Sequence, residues 1–436
     1  MAVKPKLALI PSGYKASKVY SVLPADGVGD FDFSRSGEAT RINKDGLIET
    51  VASNVPRLNY PLIDGVVSGC PSLLLEPQST NLLTYSEDFS NAAWSKSAVS
   101  VSSNLVASPK GDLTADSLTE DTSNDLHAVY INNSPVTISS TYTISVFVKS
   151  NNTTRNILLR TVDSGSNIEQ TFFDLTTGTI VSNSSSYEAK IENYSNGWFR
   201  ISQTRVDDSG GGNVDVQIGF ANGTTISYIG NGVNSAYIWG AQLEEQSYAT
   251  SYIPTNGSQV TRSAETCNGA GDANTFNDSE GVLFAEISAL ADEIGGDTKR
   301  ISINNNSSSN RVEFAYSNIN KQQAFILVTI NGTSVFSNIT LNIGNHSENN
   351  KIAIKYKSGN SKVYINGIEK DSSNVVFSNG LLNTLKFSAS VGNNPFYGNT
   401  KQIQYFDTAL TDTDLEELTS WTSFNEMAES QQYTIL

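Results

Sequence analysis

Apolar and polar residues alternate in short runs along most of this chain, and turn residues separate the runs. Tyr142, Ile144, Val146 and Val148 interleave with Thr143, Ser145, Phe147 and Lys149, the period of two expected of a strand. Val214, Val216, Ile218 and Phe220 repeat the pattern, as do Tyr237, Trp239, Ala241 and Leu243 against Ile238, Gly240 and Gln242. Between residues 351 and 370, Ile352, Ile354 and Tyr356 face one way and Lys351, Ala353 and Lys355 the other. Ser358-Gly359-Asn360 turns that chain, Val363 and Ile365 return it, and Asn366-Gly367 turns it again. Asn331-Gly332, Asp45-Gly46 and Thr177-Gly178 mark further hairpins, because Asn-Gly and Asp-Gly readily supply the positive φ that tight hairpin turns need. One helix is predicted, opened by a capping box at Thr411-x-x-Asp414 and carrying Leu415 and Leu418.

These runs fall into blocks. Residues 81–258 and 281–422 each predict a β-sandwich, and residues 259–280, rich in Gly, Asn, Ser and Asp, predict a linker. Residues 1–80 hold little periodic apolar sequence and are interrupted by Pro56, Pro61, Pro71 and Pro77. They predict an irregular attachment or lead-in region that packs on a partner or on the following domain. Residues 423–436 form a polar tail. The expected fold class is all-β, with two sandwiches in tandem.

Composition narrows the functions. At 436 residues the chain exceeds one ordinary domain. A net charge of −16 argues against nucleic-acid binding, which needs a basic face. Two widely separated cysteines, Cys70 and Cys267, and two histidines, His127 and His346, argue against a zinc or histidine-based catalytic centre. No apolar run is long enough to insert in a membrane. The lysine-containing N-terminus carries too short an apolar run for a secretory signal, so synthesis in a cytoplasm without export by that route is expected.

Several segments in order are similar to a known module. They are NLLTYSEDFSNAAWSK from Asn81, TADSLTED from Thr114, YTISVFVKS from Tyr142, NGWFRIS from Asn196, and YIWGAQLEEQSYATSYIPTNGSQVTR from Tyr237. Together they resemble a carbohydrate-binding-module-like jelly roll of bacteriophage and prophage structural proteins. The segment beginning FSRSGEATRINKDGLIET looks like its usual lead-in. NKIAIKYKSGNSKVYINGIEK and GNTKQIQYFDTALTDTDLEELTS are similar to laminin-G-like or concanavalin-A-like domains. The resemblance implies a non-enzymatic virion appendage, made in a host bacterial cytoplasm: a tail fibre, tail spike or head fibre that binds host-surface polysaccharide. It further implies docking to other virion proteins through the N-terminal region and a homotrimeric state. A decoration protein without receptor role and a polysaccharide depolymerase are the alternatives.

Candidate carbohydrate-binding residues follow from flat aromatic side chains, which pack on the apolar face of a sugar ring. Trp198 and Trp239 lie inside alternating strands and are expected in the core. Trp94, Tyr187, Tyr194 and Tyr228 sit in loop-like or strand-end sequence, and Phe396-Tyr397 lies between Asn-Asn-Pro and Gly-Asn. Tyr316 and Trp421 raise the same question. No cofactor is expected beyond a structural calcium. The resemblance implies that such an ion would be held by carboxylates and carbonyls, with Glu120, Asp121 and Glu244 at candidate motif positions.

Overall fold

The computed structural model describes residues 3–184, 188–206, 211–292 and 296–420; Tyr187, Gly210, Trp421 and the expected tail 423–436 lie outside the described residues. The regular elements of the described residues are almost all antiparallel strands, with one α-helix.

Two six-stranded sheets form the smaller sandwich. One runs Ser95–Ser97, Ala128–Pro135, Asn213–Ala221, Asn156–Asp163, Ile168–Asp174, Thr179–Asn183. The other runs Val99–Val106, Ala115–Glu120, Ser235–Glu244, Thr141–Ser150, Phe199–Val206, Ala189–Asn193. Ile144, Val146 and Val148 meet Val214, Val216, Ile218 and Phe220 between them, so these alternating residues fill the interior as their period predicts.

The larger sandwich draws on both ends of the chain. Its eight-stranded sheet joins Glu280–Ala289, Asn350–Lys357, Ser361–Ile365, Ile368–Ser373 and Gly398–Phe406 to Leu7–Leu9, Arg57–Asn59 and Ser72–Leu75. Both Leu7–Leu9 and Ser72–Leu75 pair directly with Gly398–Phe406. The facing nine-stranded sheet places Phe31–Ser34 against Thr266–Ala270, which in turn pairs with Thr384–Lys386. Leu7, Leu9, Val19, Phe31, Phe33, Leu73 and Leu75 therefore share one core with Ile301, Phe314, Ile352 and Tyr405.

Two sequence expectations need correction. Residues 1–80 are not a separate attachment region, since six of their strands, among them Leu7–Leu9, Phe31–Ser34 and Ser72–Leu75, complete the C-terminal sandwich. Residues 259–280 are not a linker, since they carry the strands Val260–Arg262 and Thr266–Ala270. Their linker-like composition has a local cause. A bulge lies between Asn268 and Ala270, and Gly269 and Gly271 adopt φ of 85° and 79°, conformations that favour glycine. Cys267, Ala270 and Phe276 still face the core. The two sandwiches are thus nested: the smaller is inserted into the larger. The chain leaves through Ser79–Asn81 and returns through Val260–Arg262, and these strands pair with each other.

The helix Asp412–Ser420 forms where the capping box predicts. The Asp414 N–H donates to Thr411 Oγ1 at 3.2 Å, and the Thr411 N–H donates to Asp414 Oδ2 at 3.1 Å. Leu415 and Leu418 bury against Phe406 and Tyr364. Both hairpin turns read from Asn-Gly have positive φ at both positions: 48° and 76° at Asn331-Gly332, 51° and 80° at Asn366-Gly367.

The nested topology has a measurable consequence. Leu9→Ala, remote in sequence from the C-terminal strands, should destabilise their sandwich by about 2–5 kcal/mol, read from denaturant midpoints. A midpoint equal to the wild type would overturn the shared core.

Candidate functional site

Two small hairpins, Ala39–Ile42 with Ile48–Val51 and Leu62–Ile63 with Val66–Val67, lie over the outer face of the smaller sandwich. Their turns fit closely against residues 193–198. Ser195 Oγ donates to the Gly46 carbonyl at 2.7 Å, and Thr40 Oγ1 donates to the Tyr252 carbonyl at 2.6 Å. Gly65 has φ of 77°, and a Cβ there would lie 2.6 Å from the Tyr194 carbonyl oxygen. Only glycine satisfies both the turn and the approach.

Between these hairpins and the sandwich lies an open cleft of about 680 Å³. Asn59, Tyr60, Leu62 and Asp64 line one side; Thr176, Thr177, Glu192, Asn193, Tyr194 and Phe199 line the other. Gly178, at φ of 65°, brings the facing turn onto Phe199, whose ring would lie 3.1 Å from a Cβ there. A second cavity of about 200 Å³ shares Ile42, Asn59, Glu192 and Tyr194 in its wall. It reaches inward to Arg200, Thr250, Ser251, Tyr252 and Glu76. Tyr194 stands edge-on to Phe147 at 4.9 Å, and Phe147 packs on Trp239 and Tyr252. Burial pushes the Tyr194 phenol up to about 12, with Arg200 opposing the rise.

Beneath the inner cavity the two sandwiches meet through buried charges. Arg35, Arg57, Glu76, Arg262 and Glu265 are all nearly inaccessible to solvent. Glu265 accepts from Arg35 at 2.8 Å and from both Nε (2.9 Å) and an Nη of Arg57. Arg57 and Arg262 reach Glu76 at 2.6 and 3.0 Å. Ser251 donates its backbone N–H and its hydroxyl to Glu76 at 2.8 and 2.6 Å. Thr250 extends the network: its hydroxyl and N–H bond Glu244, whose carboxylate also accepts from Ser79 and Gln242. Burial alone would raise the Glu76 carboxyl, but Arg262 and Arg57 outweigh it and hold the group at about 2.

Of the sequence-predicted aromatics among the described residues, the structure brings only Tyr194 to this cleft. Trp94 is buried, with its indole N–H donating to the Tyr85 carbonyl at 2.8 Å. Tyr228 is buried under Arg155 and donates to Glu120 at 2.6 Å. Phe396 is 1% exposed, and Tyr397 packs on the larger core. A sugar cannot stack on Trp94, Tyr228 or Phe396, because neighbours occupy their faces. Tyr316 is likewise buried. Trp198 and Trp239 are buried as expected, but with Phe147 and Ile48 in the layer beneath the lead-in hairpins, because a bulge at Gly240 turns Ile238 rather than Trp239 to the interior that Ala241 and Leu243 share.

The calcium candidates do not converge. Glu120 is occupied by Arg155, Tyr228 and Asn234. Asp121 is turned to Ser123 on the surface, and Glu244 belongs to the junction network. Glu120 follows the end of the ladder where Thr119 pairs with Ser235, at the opposite end of that strand from Glu244. Among the described residues no group of three or more metal-ligating side chains forms.

Tyr60, Phe199, Asn59 and Arg200 were missed by pattern reading. The available signal was Phe147, an aromatic on the side of its strand that otherwise carries Thr143, Ser145 and Lys149. It announces that this second face is covered.

No family model matches the chain, and no curated protein matches it. Solved structures give distant likenesses. The CBM40 module of Ruminococcus gnavus IT-sialidase, bound to alpha2,3 sialyllactose, is 16% identical with a TM-score of 0.29, covering 35% of this chain and 88% of that one. Domain 4 of AbnA, a GH43 arabinanase of Geobacillus stearothermophilus with arabinotriose, is 14% identical at 0.27, covering 40% and 82%. Domains LG4-5 of mouse laminin alpha1 are 9% identical at 0.22, covering 66% and 90%. At such scores none of these bears on what the cleft holds.

The junction predicts a pH dependence. Glu76 lies below its ordinary value of 4.5, so its charge stabilises the fold above that pH. The contribution is lost as pH falls from about 4.5 toward 2 and is on the order of 3 kcal/mol. Glu76→Gln should be markedly less stable than the wild type at neutral pH. The gap in urea midpoint should narrow on acidification; a gap independent of pH would refute the assignment.

Proposed function

We propose that this protein is a non-catalytic glycan-binding protein whose ligand lies in the junction cleft. The cleft's wall carries this reading. It combines the half-buried rings of Tyr60, Tyr194 and Phe199 with amides at Asn59 and Asn193 and exposed hydroxyls at Thr176 and Thr177. Rings offer a flat apolar face to a pyranose, while amides and hydroxyls exchange hydrogen bonds with its hydroxyl groups. The opening is wide and polar, suited to an oligosaccharide rather than to a buried apolar ligand. Placement on a phage virion, contact with a host-surface polysaccharide and a trimeric state rest on the ordered sequence motifs alone. Several copies on one appendage would turn a weak single-site affinity into a firm attachment.

Glycan-array binding by the full chain tests the reading. Tyr60→Ala and Phe199→Ala should each weaken binding by about five- to tenfold without changing the unfolding midpoint of the larger sandwich. No binding to bacterial surface polysaccharides at millimolar sugar would sink it. Asp64 and Glu192 both border the cleft, so release of reducing ends from such a polysaccharide would instead favour the depolymerase.

A further inference from the structure

Five arginines are buried among the described residues: Arg35, Arg57, Arg200, Arg205 and Arg262. Four of them hold a carboxylate within 3.0 Å: Glu265, Glu76 or Asp163. Arg200 has none. It is 4% exposed, donates to the Thr250 carbonyl at 2.7 Å and to Ser145 Oγ at 3.0 Å, and lies over the Phe147 ring at 5.3 Å. Its Nε, like those of Arg205 and Arg262, is buried without a hydrogen-bond partner, and its guanidinium also bonds the Tyr194 side chain.

The shortfall is visible across the whole junction. Thr250 ties Arg200 to Arg262 and Glu244, and Glu76 and Glu265 tie Arg262 to Arg57 and Arg35. Four guanidinium groups therefore share three buried carboxylates. Arg200 is the guanidinium of the four that pairs with none of these carboxylates, and it lines the inner cavity. An uncompensated buried charge is expensive, and a partner that supplies the missing charge is correspondingly favoured. Two carboxylates and one further guanidinium border the same cavity, and none pairs with Arg200: Glu76 is taken by Arg57 and Arg262 at 2.6 and 3.0 Å. Arg41 is itself paired with Glu49 at 2.9 Å. Glu192 sits opposite Arg200 in the strand ladder but is exposed and forms no ion pair with it.

We infer that the inner cavity at Arg200 is an anion subsite that takes the carboxylate of an acidic sugar, the rest of which occupies the outer cleft. The inference rests on the glycan reading of that cleft and adds the class of glycan. The cavity of about 200 Å³ admits a carboxylate and its adjoining carbon atoms rather than a whole oligosaccharide. Guanidinium groups recognise carboxylates through paired donors.

The full chain and its Arg200→Met variant are titrated with sodium glucuronate and with glucose at equal ionic strength. Calorimetry reads binding, and the unfolding midpoint reads the linked stabilisation. Wild type should bind glucuronate at least about tenfold more tightly than glucose, the scale of one charge-assisted hydrogen bond. Arg200→Met should lose that preference and keep its affinity for glucose. Should Arg200→Met fail to fold, Arg200→Lys retains the charge without the paired donors and should show a reduced preference. Equal responses to the two sugars in the wild type, or a preference that survives either substitution, overturns the subsite. Binding of neutral glycans without acid preference leaves the glycan reading intact and removes this one. A response to glucuronate alone, with no array glycan bound, does the reverse.

Discussion

The buried ion network between the two sandwiches is the interaction on which the rest depends. Its members come from four separated stretches of chain: Arg35, Arg57 with Glu76, the Glu244 to Ser251 turn, and Arg262 with Glu265. Desolvating five or more charged groups is costly, and such networks seldom add stability over an apolar core. Their strength is geometric. A misplaced strand would leave an unpaired charge in a dry interior, which costs several kcal/mol. The network therefore penalises any arrangement other than the one in which the chain leaves and re-enters the larger sandwich side by side.

That arrangement explains the cleft. The lead-in hairpins belong by connectivity to the larger sandwich, through Arg57–Asn59 and Ser72–Leu75, yet they rest on the outer face of the smaller one. The cleft's two walls thus come from different structural units, and its inner end opens onto the charge network. The cavities and the domain junction share residues: Tyr194 lines both cavities, and Ser251, in the wall of the inner one, contacts both Glu76 and Arg262.

Much of the fold was legible because its signals are local. The strand period at Ile352, Ile354 and Tyr356, the Asn-Gly turns and the Thr411 capping box each depend on residues within a few positions of one another. Where the N-terminal strands pair was not legible, for the opposite reason. Leu7–Leu9 is three residues long, too short to show a period, and its partner strand lies at residues 398–406. Thr266–Ala270 was hidden by the glycines of its own bulge. At the site, loop-like sequence drew attention to Trp94, Tyr228 and Phe396, but loops can fold inward. Trp94 satisfies its indole on a neighbouring carbonyl, and Tyr228 buries its hydroxyl on Glu120.

By itself the sequence determined an all-β chain with two sandwich cores, the hairpin turns and the helix cap, since alternation and turn chemistry act over a few residues. Tertiary structure decided that one sandwich is inserted in the other, that residues 1–80 complete the second core, and that Tyr60, Tyr194 and Arg200 meet at one cleft. Those outcomes depend on pairing between segments up to nearly four hundred residues apart, where Leu7 meets Tyr405. They depend also on balancing buried charges from several strands at once. Neither property is carried by any local window of the chain.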